Sequence, residues 1–331
     1  MTFTTPVQLP TSDLKIAHES RIILAGSCFA ENIGERLCKR KFNILGNPFG
    51  ILYNPLSIAT MLERVVSGEP FTASSSEIFE HNELWHSLLH HSCFSQKSKE
   101  ELIDTLNESL AEAHRLASGC DILILTFGTA YIYTRNSDNL IAGNCHKLPG
   151  NIFTRRLATI EEITENFIAV IEKLRNMNPD IKFIFTVSPI RHLRDGAHDN
   201  QKSKATLLLA IDRIQSMFSD CVHYFPAYEI VLDELRDYRF FAEDMTHPSN
   251  IAIEYIWECF SRTYFGEATN KLNREIEEVT KALDHRPFNP DSAAHKRFIK
   301  NVLDKIEAIQ DKHPYLNFEN ETAQCNTLLN R

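Results

Sequence analysis

The chain has 331 residues, is 43% hydrophobic and carries a net charge of −9 from 35 basic and 44 acidic side chains. That length and apolar content suit one large domain, or one domain with an appendage, around a sizeable core. An acidic balance without long blocks of one sign argues against nucleic-acid binding by bulk charge, and no apolar run approaches the roughly 20 residues of a membrane helix. The opening MTFTTPVQLPTSDLK has neither a basic nor an apolar leader region, so a cytoplasmic protein is expected. Eight cysteines without metal-finger or CxxC spacing are expected to be free thiols.

The predicted elements alternate along the chain. Residues 21–25 (RIILA) form a first buried strand, and Gly26-Ser27-Cys28 stands at its exit. Residues 30–39 place Ile33 and Leu37 one turn apart, as a helix does. A second strand at 41–45 exits into Gly46-Asn47-Pro48-Phe49-Gly50, and a helix over 57–66 repeats Ile58, Met61, Leu62 and Val65. Residues 67–99 read as a lid-like insertion whose Phe71, Phe79, Trp85 and Phe94 suit substrate contacts. Within it His86 and His90 would stand one turn apart on a helix, but no carboxylate or thiolate completes a metal-ligand set.

A helix over 99–116 leads to a third strand at 121–127, which exits into Gly128-Thr129-Ala130-Tyr131. The stretch 134–158 carries Cys145-His146-Lys147 and Arg155-Arg156, either a basic wall of a pocket or a solvated loop. A helix at 159–176 precedes a fourth strand at 182–187 and its exit, Ser188-Pro189-Ile190-Arg191-His192. A helix at 202–218 and a short fifth strand at 222–225 follow. From about residue 251 the pattern is helical, over 251–264, 270–285 and 293–311.

Short buried strands alternating with helices specify βαβ units and a parallel sheet covered on both faces. The expected fold is therefore α/β, a three-layer α/β/α sandwich with a mainly parallel sheet over 1–265. A C-terminal helical extension spans 266–331. In such sheets ligands sit at the carboxyl ends of the strands, so reactive groups belong at the strand exits.

A serine hydroxyl near neutral pH needs a base, and the base needs an orienting carboxylate. Ser27 stands at a strand-to-helix junction, either as an N-cap or as a nucleophile whose oxyanion the helix N-terminus would favour. Asp244-Met245-Thr246-His247 can fold so that the carboxylate reaches one imidazole nitrogen while the other faces outward. The other reading is an Asx-type turn into the next helix. Cys28 is a rival nucleophile, but adjacent residues at a helix start point apart, so only one of the two can face His247. Arg191 is placed to hold a substrate carboxylate or phosphate as a fork, or to pair with Asp195 or Glu229.

Gly26-Ser27-Cys28-Phe29-Ala30 spells the signature of the GSCFA family, and an early serine with a late DxxH resembles the SGNH/GDSL hydrolase superfamily. NPFGILYNP (47–55), LTFGTAYIY (125–133), TVSPIRH (186–192), SKA (203–205) and RFFAEDMTHPS (239–249) carry the likeness from about residue 20 to 260. The resemblance implies an esterase or acyltransferase in which Ser27 attacks, His247 is the base and Asp244 orients it. The substrate would be a small-molecule or carbohydrate ester, with no metal or organic cofactor. The resemblance also implies an oxyanion held by the N–H groups of Ser27 and of Gly50 or Gly46. The superfamily's third donor is an Asn after the third strand; Ala130 stands there, leaving Thr129 or Asn47 to substitute. Gly128, Arg191 and His192 are expected to contact the substrate. The alternative is a catalytically weak or inactive module that binds an acylated or carbohydrate ligand.

Overall fold

The computed structural model describes residues 5–330. In chain order it runs β1 (Arg21–Gly26), α1 (Cys28–Lys39), β2 (Asn43–Gly46), α2 (Pro55–Ser67), β3 (Ile78–His81), β4 (Leu84–Ser87), α3 (Lys99–Ala117) and β5 (Ile122–Phe127). There follow β6 (Tyr131–Arg135), β7 (Ile141–Ala142), β8 (Phe153–Leu157), α4 (Ile160–Met177), β9 (Lys182–Val187), α5 (Gly196–Met217), β10 (Val222–Tyr224), the single turn α6 (Ala227–Glu229) and α7 (Asn250–Tyr264). The last helices are α8 (Glu267–Asp284), α9 (Ala293–Lys312) and α10 (Glu319–Leu329). The chain falls into two compact units, one built on Arg21–Gly34 and Ile44–Thr263, the other on Ser12–Ser20, Glu35–Asn43 and the chain from Tyr264 onward.

The first unit is the α/β sandwich. Its sheet has the order β10-β9-β5-β1-β2, and the pairs β10–β9, β9–β5 and β5–β1 are parallel. Alternate residues of each strand serve opposite faces. Ile23, Leu123, Leu125, Phe183 and Phe185 join the core with Met61 and Leu62 of α2 and Leu174 of α4. Ile124, Thr126 and Ile184 meet Phe29 and Ile33 of α1 and Phe260 of α7 on the other side. Burial on both faces explains why the strands read as continuous apolar runs. Chain order reverses between β1 and β5: the chain leaves β1 for β2 on one side and returns to lay β5 on the other. At such a reversal a crevice opens outside the carboxyl ends of the two strands.

Several elements were not legible as such in the sequence. His86 does not stand on a helix as expected: within 67–99, β3 and β4 pair antiparallel, with Phe79 opposite His86. The stretch expected as wall or loop contains a second small sheet of order β7-β6-β8, antiparallel, with Tyr131 opposite Leu157 and Tyr133 opposite Arg155. Strands of two to five residues give too few alternations to register as a pattern.

In the second unit α8, α9 and α10 share a core that includes Ile276, Val279, Ile299, Ile306 and Phe318. The segments 12–20 and 35–43 belong to it as well: Arg40 pairs with Glu277 at 2.6 Å, Lys41 with Glu321 at 2.6 Å, and His18 stacks on Phe42. No described helix is long and apolar enough to cross a membrane. All eight cysteines are free.

Candidate active site

The exit of β1 is built so tightly that only glycine fits. Gly26 has φ +140°, and a Cβ there would stand 2.2 Å from the Thr126 carbonyl oxygen of β5. Its N–H donates to Asn47 Oδ1 (2.9 Å) and its carbonyl accepts from Leu52 N–H (3.0 Å), which binds the NPFGILYNP loop to the strand. The chain then turns directly into α1. Ser27 is buried, 1% exposed, and its Oγ takes a long 3.4 Å hydrogen bond from Phe29 N–H. Cys28 is half-buried, lines the cleft described below and has its Sγ 3.5 Å from Tyr53 Oη.

The DxxH segment folds as a self-contained loop between α6 and α7. Met245 takes the left-handed backbone conformation (φ 57°), which returns the Asp244 carboxylate over the following residues. Asp244 Oδ1 accepts the N–H groups of Thr246 (2.9 Å) and His247 (3.0 Å), and Oδ2 lies 2.5 Å from His247 Nδ1. These donors, the His247 backbone N–H first among them, hold the Asp244 carboxyl well below the usual carboxylate range. An ionised carboxylate can only accept, so in the neutral imidazole tautomer that faces it the proton is on Nδ1 and the lone pair on Nε2. Both side chains are about half exposed, and His247 lines the cleft. The Asx-type turn and the Asp244–His247 contact are thus one structure rather than alternatives.

A cleft of about 720 Å³ opens at these strand exits. It is lined by Cys28, Tyr53, Asn54, Thr129, Arg191, His192 and His247, and its far wall is the small β6–β8 sheet and its connections. His192 and Ser27 both border Gly128: the His192 Nε2 and the Ser27 Cβ each lie 3.3 Å from where a Gly128 Cβ would be. That Nε2 is buried without a hydrogen-bond partner. Burial, and then the nearby Lys204 charge, bring the His192 pKa down to about 4, so the ring is neutral. Ser27 Oγ makes no hydrogen bond to either histidine.

The third-strand exit is held by two residues of α5, Ser203 and Lys204, to which the sequence assigns no role. Ser203 Oγ accepts from Ala130 N–H (2.7 Å) and lies 3.0 Å from Thr129 Oγ1. Lys204, 1% exposed, donates from Nζ to the carbonyls of Gly128 (2.7 Å) and Ser188 (2.6 Å), and so ties the exits of β5 and β9 together. The fragment SKA was visible in the sequence, but nothing in it says which loop a helix side chain will meet.

Several of the expected site residues have other partners in this structure. Gly50 N–H donates to Asn47 O in its own turn (2.7 Å), and Gly50 does not line the cleft. Asn47 does not line it either; its Oδ1 serves Gly26. Thr129 N–H and Gly128 N–H both donate to Tyr53 O, at 3.0 and 2.8 Å, while Thr129 Oγ1 faces Ser203 and accepts from Tyr131 N–H. Gly128 lies beneath the cleft rather than in its lining. Ser27 N–H donates to Thr126 O at 3.2 Å. Backbone groups at crowded loop junctions are satisfied locally when a local acceptor is within reach.

The insertion that lines the cleft is not the one at 67–99. No residue of 67–99 lines the cleft, whereas Tyr131, Tyr133, Cys145, His146, Lys147 and Arg155 do. Arg156 turns away and pairs with Glu162 (2.6 Å). His86 lies on β4, bound to Ser95 Oγ and the His81 carbonyl, and no metal-binding cluster occurs among the described residues. Arg191 pairs with neither expected acid: Asp195 is taken by Arg155 and Glu229 by Tyr224 Oη. Its guanidinium instead lies 3.9 Å from the Phe241 ring centroid and 5.4 Å from that of Tyr238.

Two family models match the chain. The one described as the GSCFA family matches residues 21–260, and the one described as the C-terminal domain of GSCFA domain proteins matches residues 276–331. No curated protein matches it.

Proposed function

The chain belongs to the GSCFA family, and from that membership we propose that it is an SGNH-type serine hydrolase acting on an ester or acyl group. The observation that carries the reading is the Asp244–His247 pair, 2.5 Å apart, presented into a cleft at the strand exits beside the start of α1. Asp244 keeps the proton on Nδ1, so His247 Nε2 is the free base. It takes the Ser27 Oγ proton as the oxygen attacks the acyl carbonyl, then returns that proton to the leaving alcohol. Water repeats the sequence on the acyl-enzyme. A local shift must bring Ser27 Oγ and Nε2 together, as catalytic hydrogen bonds often tighten only with substrate bound.

A second reading, a module that binds an acylated or carbohydrate ligand without turnover, is favoured by the donors already spent on Thr126, Asn47 and Tyr53 and by the missing Ser27–His247 hydrogen bond. Hydrolysis of p-nitrophenyl acetate separates the two. Ser27→Ala and His247→Ala should each lower kcat by about a thousandfold or more. Activity untouched by both substitutions sinks the triad. Fluorophosphonate labelling, mapped by mass spectrometry, should mark Ser27; a label that disappears in Cys28→Ala and persists in Ser27→Ala would transfer the role to the cysteine. Absence of both turnover and label supports the binding module.

A further inference from the structure

We infer that the substrate carries a negative charge away from its reacting carbonyl, a carboxylate or a phosphate, held by Arg191 with Arg194 and Lys147. The inference rests on the hydrolase reading for the word substrate, but its physical basis is the cleft itself.

The chain as a whole is acidic, at −9, yet its cleft is lined by Lys147, Arg155, Arg191 and Arg194. Asp195 is the one carboxylate in that lining among the described residues, and it is consumed by Arg155 at 2.5 Å. Arg191, Arg194 and Lys147 form no ion pair among the described residues. A concave site lined by one sign of charge focuses its field on an incoming ligand of the opposite sign. The three histidines of the lining add no negative charge in any protonation state.

Arg191 is also pre-positioned. The guanidinium lies over the rings of Phe241 and Tyr238, which line an adjoining hollow with Arg191, Asp233 and Asp237, and stacking on ring faces leaves its in-plane N–H donors for a ligand. Its backbone N–H donates to the Thr246 carbonyl (3.1 Å), so it is fastened to the loop that carries His247. A planar guanidinium matches both carboxylate and phosphate oxygens, which is why the shared chemistry is an anion and the source is left to the experiment.

The test uses full-length Ser27→Ala protein, so that binding is read apart from turnover. Calorimetric titrations compare monomethyl succinate, methyl phosphate and the uncharged dimethyl succinate. At least one anion should bind about tenfold more tightly than the neutral diester, and its affinity should fall as salt is raised. The tighter of the two names the source. Arg191→Ala, and separately the exposed pair Lys147→Ala with Arg194→Ala, should each lose about tenfold for the anion while leaving dimethyl succinate unchanged; Arg191→Lys should recover part of the loss. Thermal melts check that each variant is folded. Equal binding of charged and neutral probes, anion binding indifferent to both variants, or no detectable binding of either anion at millimolar concentration overturns the inference. The outcome is independent of the hydrolase reading: anion preference with no Ser27-dependent activity in the wild-type protein defeats only the latter, and Ser27-dependent activity without anion preference defeats only the former.

Discussion

Lys204 was named in the sequence only as part of SKA, yet it is among the most enclosed charged groups of the molecule. A neutral amine has two N–H donors, and Lys204 has two carbonyl acceptors, Gly128 O and Ser188 O, so losing its proton leaves neither acceptor bare. Burial draws its pKa from 10.5 down to about 7. Between those values the unfolded chain binds one more proton than the folded one, so stability contributed here rises as pH increases through the window. Urea denaturation should show the wild type gaining on Lys204→Met by about 1.4 kcal/mol per pH unit at most across that range. Below it, Lys204→Met strands two buried carbonyls at about 1–3 kcal/mol each, partly offset by removing a buried amine. Parallel pH profiles for the two proteins would show that the lysine does not titrate there.

At the scale of elements, the close approach of β1 to β5 decides where the candidate nucleophile can be. Register pairs Gly26 with Thr126, and the absent Cβ of Gly26 lets Ser27 N–H reach Thr126 O. Gly26→Ala combines a clash against strand backbone with a φ that L-residues rarely adopt, and neither β1 nor β5 can retreat from a sheet packed on both faces. The substitution should cost more than about 3 kcal/mol, read as a lowered urea midpoint or as failure to accumulate folded protein. Wild-type stability in Gly26→Ala would mean that the strand exit relaxes freely. The same tightness explains why the backbone N–H groups of Ser27, Gly50, Gly128 and Thr129 already have acceptors: each loop closes on its neighbour.

At the scale of the whole molecule, acid should unfold this protein earlier than its carboxylates alone would require. Desolvation most strongly favours the neutral form at His18 in the second unit and at His90, His146 and His192 in the first. Each keeps a ring nitrogen without a hydrogen-bond partner. Desolvation brings His18, His146 and His192 to about 4 and His90 well below its ordinary 6.5. Between about 4 and 6.5 the unfolded chain binds more protons, so stability is lost as pH falls through that interval. Each group contributes up to about 1.4 kcal/mol per pH unit. The melting temperature should drop steeply from pH 6.5 towards 4, with net proton uptake on unfolding; a flat melting temperature over that interval would contradict it.

Much of this fold is written locally. Apolar runs at 21–25, 121–127 and 182–187, broken by Gly or Pro and separated by helical periodicity, specify strands and helices because burial period is a property of neighbouring residues. The Asp244–His247 pair is equally local, since an acid three residues ahead of a histidine needs only one left-handed residue, Met245, to reach it. What the chain could not declare is which exits meet. The strand order sets Gly128 and His192 beside Ser27, sends Ser203 and Lys204 beneath the third exit, gives Asp195 to Arg155 and leaves Arg191 to aromatic faces. Those pairings join residues tens to hundreds of positions apart. They follow from the sheet's reversal between β1 and β5, which no local period encodes, so only the tertiary structure could decide them.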